Sequence, residues 1–138
     1  MSDPVLSVGA ATVSPVTATE PPITADDVRQ MAMSLPRTIE RLVRDRVKFN
    51  VGRIVYATLS RDETLMGCGF PKEEREAAVA AEPEKFLMPD AANMRYQWIV
   101  VRLSAVTRDE LRELLVDAWR MAVPKRVAAA YDQEHTPA

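Results

Sequence analysis

Apolar and polar residues alternate through the stretch Arg46–Leu59, whose sequence is RVKFNVGRIVYATL. Period-two alternation is typical of strands that bury one face, so the pattern predicts a hairpin with its turn at Val51–Gly52. Pairing across that turn sets Asn50 against Arg53 and Phe49 against Ile54. One predicted face is apolar and contains Val47, Phe49, Ile54 and Tyr56. The opposite face is polar and basic and contains Arg46, Lys48, Asn50 and Arg53.

Apolar residues at helical spacing predict four helices, each with a recognisable start. Thr24 can cap the first helix, and Pro36 ends it because proline cannot donate an amide hydrogen. Pro71 and Pro124 suit the first position of the second and fourth helices. The third helix starts at Thr107 with the spacing of a capping box. Its apolar stripe contains Leu111, Leu114, Leu115, Ala118, Trp119 and Ala122.

Two further strands are predicted outside the hairpin. The first, 64–70, contains Gly67 and Gly69, which indicate a bulge or an edge strand. The second, 97–103, reads QWIVVRL and is rich in β-branched residues. Segment 37–45 is interpreted as extended in preference to a helical turn, and segment 84–96 as a loop. Because the strands are grouped in hairpins and the helices are grouped, the predicted class is α+β, an antiparallel sheet with helices packed on it.

The length of 138 residues, with 47% hydrophobic and 28% charged content, suits one soluble domain with a tail. We predict a disordered tail over residues 1–23, a single domain over 24–133 and a frayed C-terminus over 134–138. The tail lacks large apolar side chains and the pattern of a secretory signal, and no apolar run reaches the roughly 18 residues of a membrane span. The single cysteine suits a reducing compartment, so we expect a cytoplasmic protein without membrane association.

Residue types that carry catalysis are scarce in this sequence. A nucleophilic Cys68 needs a neighbouring base, but the single histidine, His135, falls in the C-terminal tail. One histidine and one cysteine cannot furnish the common zinc site, so neither a metal nor a cofactor is expected. Trp98 and Trp119 are interpreted as core residues in preference to a ligand platform. The protein is therefore predicted not to be an enzyme.

Positive charge is concentrated between Arg29 and Arg61. This segment contains eight basic and two acidic residues, whereas the whole chain has a net charge of −2. A phosphate backbone is one partner for such a patch, through Lys and Arg contacts and counterion release. The alternative is that the charges keep an exposed sheet face soluble and block edge pairing. Charge alone leaves both interpretations open.

The order of four motifs resembles the MmcQ/YjbR family. They are the hairpin KFNVGRIVYATL, the helix PKEEREAAVAAEPEKF, the strand QWIVVRL and the ending LRELLVDAWRMAVPKRVAAAY. The resemblance covers about residues 25–131 and implies a small α+β fold with an antiparallel sheet. The chain departs from the family pattern at Gln97, where a glycine is common, and in the loop 89–95.

The resemblance also implies DNA binding by strand-and-loop wings. Carried over to this chain, the contacts would come from Arg46, Lys48, Asn50, Arg53 and Arg61, together with Lys125 and Arg126 of the Pro-Lys-Arg ending. We therefore expect a non-enzymatic protein that binds double-stranded DNA weakly, with strong salt dependence and little sequence specificity. Two alternatives stay open. One is a protein-interaction module that binds an acidic partner through the exposed sheet face or edge, and the other is a ligand or enzymatic pocket near Cys68 and Trp98.

Overall fold

The predicted helical stripes and the alternating strands meet in one hydrophobic core. The structure, a computed structural model, describes residues 22–135. The predicted tail therefore lies outside the described residues except for Pro22 and Ile23, and Ile23 is a core residue. Residues 136–138 of the predicted frayed end also lie outside them.

Helices and strands follow each other in the order that the sequence predicted. The short strand Phe86–Leu87 and two 3-10 turns are additional. The helices are α1 (Ala25–Met33), α2 (Lys72–Ala81), α3 (Arg108–Arg120) and α4 (Lys125–His135). The strands are β1 (Thr38–Val43), β2 (Arg46–Val51), β3 (Ile54–Leu59), β4 (Leu65–Gly69), β5 (Phe86–Leu87) and β6 (Trp98–Arg102). Short 3-10 turns span Ala91–Asn93 and Leu103–Ala105.

The six strands of the described chain form one antiparallel sheet in the order β1-β2-β3-β4-β6-β5. The α+β class with an antiparallel sheet is thus confirmed. Both capping boxes are formed, at Thr24 with Asp27 and at Thr107 with Glu110. No helix within residues 22–135 is long and apolar enough to cross a membrane.

The helices cover one face of the sheet, and we call the opposite face the outer face. Core side chains from the helices include Val28, Leu111, Leu115 and Trp119; from the strands they include Phe49, Ala57, Met66, Cys68, Ile99 and Val101. The strand residues that alternate with these, such as Lys48, Thr58 and Val100, are only half-buried. The sheet therefore buries one face and leaves the other open.

Segment 37–45 is extended, as the sequence predicted, and supplies the edge strand β1. A two-residue turn at Arg44 and Asp45 joins β1 to β2, and both residues have positive φ, 52° and 67°. Positive φ at both central residues is the requirement of a type I′ turn, whose twist matches that of paired strands. The sequence pattern gave no sign of this hairpin because neither residue is a glycine.

The turn of the second hairpin lies one residue later than predicted. Val51 pairs with Ile54, so the turn residues are Gly52 and Arg53, with Gly52 at a φ of 59°. A β-branched valine disfavours a turn and can pair in the strand instead. The predicted pairs Asn50 with Arg53 and Phe49 with Ile54 are therefore wrong.

A bulge in β3 lies beyond this turn. Phe49 pairs with Ala57 and Asn50 with Val55, which leaves Tyr56 as an extra residue in β3. Tyr56 keeps its predicted place in the core, where its hydroxyl lies 2.9 Å from Thr38 Oγ1. The bulge reverses the alternation beyond it, so Ala57 joins the buried face and Thr58 the outer face, whereas unbroken pairing would have placed them the other way round.

Candidate nucleic-acid interface

A groove of about 680 Å³ lies on the outer face of the sheet. Its floor is formed by side chains or backbone of β3, β4, β5 and β6, among them Thr58, Leu65, Gly67, Leu87, Trp98 and Val100. One rim is the strand β2, through Arg46 and Lys48. The opposite rim is the segment 88–97, through Met88, Pro89, Asp90, Asn93, Tyr96 and Gln97.

Trp98 shapes the floor of the groove because of what it meets on the neighbouring strand. A Cβ atom at Gly67 would lie 2.6 Å from Trp98 Nε1 and 2.9 Å from Cε2 and Cζ2. Real side chains do not approach this closely, so the nitrogen-bearing edge of the indole requires a glycine at position 67. The sequence had suggested that β4 is bulged or an edge strand, but β4 lies inside the sheet between β3 and β6.

The rim opposite β2 is held in place by a buried arginine. Arg75 of α2 is 5% exposed, and its guanidinium donates to the carbonyl oxygens of Met94 (2.8 Å), Tyr96 (3.0 Å) and Trp98 (2.9 Å). A planar guanidinium suits several acceptors at once. Lys72 adds two more contacts to the same rim, from its amide to Gln97 Oε1 and from its Nζ to the carbonyl oxygen of Arg95.

Local contacts fix the remainder of this rim. Asp90 caps the 3-10 turn, where its Oδ1 accepts from the amide and from Nδ2 of Asn93. The Arg95 guanidinium lies 4.9 Å from the centre of the Tyr96 ring and also donates to the Tyr96 hydroxyl. The rim is therefore a built structure, with hydrogen bonds along most of its length.

The cations of the molecule are distributed in two distinct ways. Ion pairs among residues 22–135 involve helix residues or, for Lys85 with Glu82, the residue that ends α2; the cations are Arg29, Lys85, Arg108 and Arg120, and the acids are Asp26, Glu40, Glu82, Glu110, Asp27, Asp117 and Asp132. The outer face carries cations that pair with no acid of the described chain. In the strands they are Arg41, Arg46, Lys48 and Arg102.

Strand register arranges these four cations in two rows across the outer face. Arg41 pairs with Lys48, and Lys48 with Thr58, so the first row crosses the groove next to Gly67. The second row runs from Arg46 in β2 to Arg102 in β6. Arg102 pairs with the groove residue Leu65 of β4. Because neighbouring strands lie about 4.8 Å apart, Arg46 and Arg102 are separated by roughly 14 Å, three strand spacings.

The predicted contact residues fall into different places. Arg46 and Lys48 line the groove, and Arg61 is exposed in the turn after Ser60, another lining residue. That turn is fixed by Asp62, whose Oδ1 accepts from Ser60 Oγ at 2.7 Å and from Thr64 Oγ1 at 2.8 Å. The hydroxyl of Ser60, followed by the Thr64 donors, lowers the pKa of the Asp62 carboxyl, which keeps the acceptor ionised.

Four of the predicted contact residues do not join this group. Asn50 is 7% exposed, and its buried side-chain oxygen has no hydrogen-bond partner within residues 22–135, so it does not reach the surface as expected. Arg53 is exposed at the tip of the β2–β3 hairpin, at the opposite end of β2 from Arg46. Lys125 and Arg126 are exposed on α4, which packs on the helical side through Tyr131 and Trp119.

The two tryptophans have different environments, which corrects their common interpretation as core. Trp119 is fully buried, and its Nε1 donates to the carbonyl oxygen of Pro36 at 2.8 Å. Trp98 is half-buried and lines the groove. Cys68 lies in the core on the other side of the sheet, and burial raises the pKa of its thiol to about 12.

Sequence reasoning missed two residues that build this surface, Arg75 and Arg102, and it interpreted a third, Trp98, as a core residue while keeping a pocket near Trp98 as an alternative. Arg75 sits in a run of acidic and basic residues at the start of α2, where a charged residue is ordinarily exposed. Arg102 ends a strand that was recognised, but only the register with β4 places it beside Leu65. Gly67 was a usable signal for Trp98, since a glycine inside a central strand often marks a site where another group approaches the backbone closely.

The fold and the groove define a small α+β protein with an antiparallel sheet that is covered on one face and open on the other. The YjbR family model matches residues 33–121, so the chain belongs to the YjbR family. No protein with a curated description matches the chain.

A solved structure supports the fold independently. The chain is similar to the crystal structure of the Deinococcus radiodurans protein DR2400, a DUF419 domain, with a TM-score of 0.65 and 24% sequence identity. The match covers 80% of this chain and 86% of the other. At this identity the likeness concerns the arrangement of helices and strands.

Proposed function

We propose that this YjbR-family protein is a non-enzymatic DNA-binding protein whose outer sheet face contacts the phosphate backbone. The observation that carries the proposal is the set of unpaired cations on that face, Arg41, Arg46, Lys48 and Arg102. Elsewhere in the described chain, Arg29, Lys85, Arg108 and Arg120 are matched with acids, whereas other cations such as Arg112, Lys125 and Arg126 are exposed and have no acidic partner within residues 22–135. Unmatched cations on a concave surface attract a polyanion through Coulomb forces and counterion release.

The spacing of the cations suits a nucleic-acid backbone. Arg46 lies in β2 and Arg102 in β6, three strands away, so their backbones are roughly 14 Å apart by strand spacing. This interval is comparable with the major-groove width of B-DNA, about 12 Å, which separates two phosphate strands. The turn residue Arg61 lies at the same end of the sheet as Arg46 and extends the basic surface.

Sequence-independent binding follows from the same geometry. The helices of the described chain pack on the opposite face of the sheet, so none of them is placed to enter a DNA groove from the outer face. Phosphate contacts position a protein but carry no sequence information. With four phosphate contacts, the slope of log K against log salt is expected to be about −3.6.

The non-enzymatic part of the proposal rests on the positions of Cys68 and His135, neither of which lines the groove. Cys68 lies behind the sheet with a raised pKa, and His135 stacks on Tyr131 in α4, 3.9 Å between ring centres. A thiol and a base must be within hydrogen-bond reach to act together. Cys68 is buried in the core and His135 is exposed at the end of α4, so the two do not act together.

The test is the binding of a short labelled DNA duplex, followed by fluorescence anisotropy at about 50 and 200 mM salt. We expect the double variant Arg46→Glu with Lys48→Glu to bind at least tenfold more weakly than the wild type. The matched control is Lys125→Glu with Arg126→Glu, which changes net charge equally on the helical side and should alter affinity less than threefold. Equal losses in both double variants, or no binding by the wild type at low salt, would refute the proposal.

An acidic extended peptide bound along β1 is a second candidate. It is favoured by the apolar side chains exposed on this edge strand, where Leu42 is 72%, Ile39 48% and Val43 40% exposed. An open strand edge can pair with an added strand. Titration of labelled protein with a Glu-rich peptide would then shift the amide signals of residues 38–43, and Leu42→Asp would abolish the shift. Peptide binding that is unchanged in Leu42→Asp would exclude the addition of a strand along β1.

A further inference from the structure

We propose that the groove holds one unpaired nucleotide of a single DNA strand, with its base against Trp98 and its phosphate at Arg46 and Lys48. This inference rests on the proposed DNA binding and adds the form of DNA that the protein prefers. It predicts that a single strand binds more tightly than the matched duplex. It also predicts that Trp98 carries that preference.

The floor of the groove has the chemistry of a base-binding surface. Its volume of about 680 Å³ is within the range of small-molecule sites, 300–1,000 Å³. Leu65, Leu87 and Val100 supply apolar area, and the half-buried Trp98 supplies an aromatic ring. Stacking on aromatic rings is the common way in which proteins bind unpaired bases without regard to sequence. A duplex keeps its bases in its own stack and cannot place one on this floor.

The two rims differ in chemistry, which gives a bound nucleotide one orientation. The β2 rim presents Arg46 and Lys48, which form no ion pair within residues 22–135 and so suit a phosphate. The opposite rim lines the groove with neutral and acidic groups, and its cation, Arg95, lies against the Tyr96 ring and is not a lining residue. Gln97 uses its Oε1 for the Lys72 amide, which leaves its Nε2 as a donor toward a base edge. Asp90 uses its Oδ1 for Asn93, which leaves its other oxygen as an acceptor.

The site is arranged before any ligand arrives. Three carbonyl contacts from Arg75 hold the backbone at Met94, Tyr96 and Trp98, and Gly67 lets the indole edge lie against β4. A binding surface that is already ordered loses less conformational entropy on association. The arrangement also explains why a buried cation is tolerated in α2 with backbone carbonyls as its partners.

The test compares a labelled single-stranded oligonucleotide with its duplex, each bound to the wild type and to Trp98→Ala. Loss of one stacked base weakens binding by about 1–3 kcal/mol, which corresponds to roughly 5- to 150-fold. We expect Trp98→Ala to lose at least fivefold for the single strand and less than twofold for the duplex. Met121→Ala, an exposed apolar residue on the helical side, is the control and should change neither affinity.

A measurement on the wild type makes the test independent of variant folding. Iodide quenching of tryptophan fluorescence reports Trp98 mainly, because Trp119 is fully buried. We expect the single strand to protect the accessible tryptophan and the duplex to leave it exposed. Equal protection by both DNAs, or a Trp98→Ala variant that keeps its single-strand preference, would overturn this inference and leave the proposed function standing. Failure of both DNAs to bind would contradict the proposed function itself.

Discussion

The two faces of the sheet differ in whether the cations beside them form ion pairs. On the helical side, Arg29 bonds to Glu40 at 2.9 Å, Arg108 to Asp27 at 3.1 Å, and Lys85 to Glu82 and Glu110. On the outer face, Arg41, Arg46, Lys48 and Arg102 have no acidic partner in the described chain. The difference teaches that the strand cations of the outer face are left without acids. The helical side carries cations of both kinds, since Arg112, Lys125 and Arg126 also have no acidic partner within residues 22–135.

The tryptophans show the same division between structure and surface. Trp119 of α3 is fully buried, where it packs on Tyr131 of α4 and donates to the Pro36 carbonyl oxygen, whereas Trp98 borders the groove. Burial of a large aromatic side chain contributes to folding, so Trp98, which keeps part of its ring exposed to the groove, contributes less than the fully buried Trp119. Their two substitutions should therefore have different consequences.

The largest expected effect is the loss of stability in Trp119→Ala. Removal of a buried tryptophan costs about 3–5 kcal/mol of unfolding free energy, because it leaves a cavity and an unpaired Pro36 carbonyl. Trp98→Ala should cost less, about 1–3 kcal/mol, since its ring is partly exposed to the groove and less buried area is lost. Urea unfolding of both variants measures the difference. A similar loss in the two variants would mean that Trp98 is a core residue after all.

The next effect is the release of the groove rim in Arg75→Met. The substitution removes three hydrogen bonds to carbonyl oxygens while keeping an apolar stem, and we expect a loss of about 2–3 kcal/mol. The amides of residues 94–98 should exchange with deuterium much faster than in the wild type. The core strands β3 and β4 serve as the internal control. Unchanged exchange over the rim would show that Arg75 does not hold it.

The sequence predicted the elements well because their boundaries are local. Thr24 and Thr107 cap helices, Pro36 ends one, and the periodicity of Leu111 and Leu115 gives the buried side of α3. These signals act over three or four residues, so they can be read without knowing the fold.

The parts of the site that could not be predicted depend on distant contacts. The burial of Arg75 depends on a rim about twenty residues further along the chain, and the fit of Trp98 on Gly67 depends on the pairing of β4 with β6. The bulge at Tyr56 changed the pairing of the hairpin without changing which side of β2 is basic. Arg46 and Lys48 were therefore placed correctly on the outer face, whereas Asn50 was expected at the surface and is buried.

A smaller effect concerns acid conditions. Hydrogen bonds with the Thr24 backbone lower the pKa of the Asp27 carboxyl, and the Lys85 hydrogen bond lowers that of Glu110. Groups with depressed folded-state pKa values stabilise the fold fully above their ordinary values and lose this contribution as pH falls through the folded values. Stability should therefore fall below about pH 4.5, and Asp27→Asn should flatten that fall. Urea midpoints across this pH range test it, and an unchanged slope in Asp27→Asn would contradict it.

The smallest effect is the low reactivity of Cys68 with thiol reagents in the folded protein. Burial and the Asp117 charge raise the pKa of this thiol to about 12, so little thiolate exists at neutral pH. We expect reaction with a disulfide reagent only at the rate of unfolding, and rapid reaction in urea. Fast labelling of the folded protein would place Cys68 at an accessible site.

Amide chemical-shift mapping with DNA tests most directly whether the outer face is the binding face. The titration uses isotope-labelled full-length protein and a short oligonucleotide at low salt. We expect the largest shifts at Lys48, Thr58, Gly67, Val100 and Arg102, and none of comparable size over α3 or α4. Shifts centred on Lys125 and Arg126 of α4, or no shifts at all, would contradict the assignment of DNA binding to the open face of the sheet.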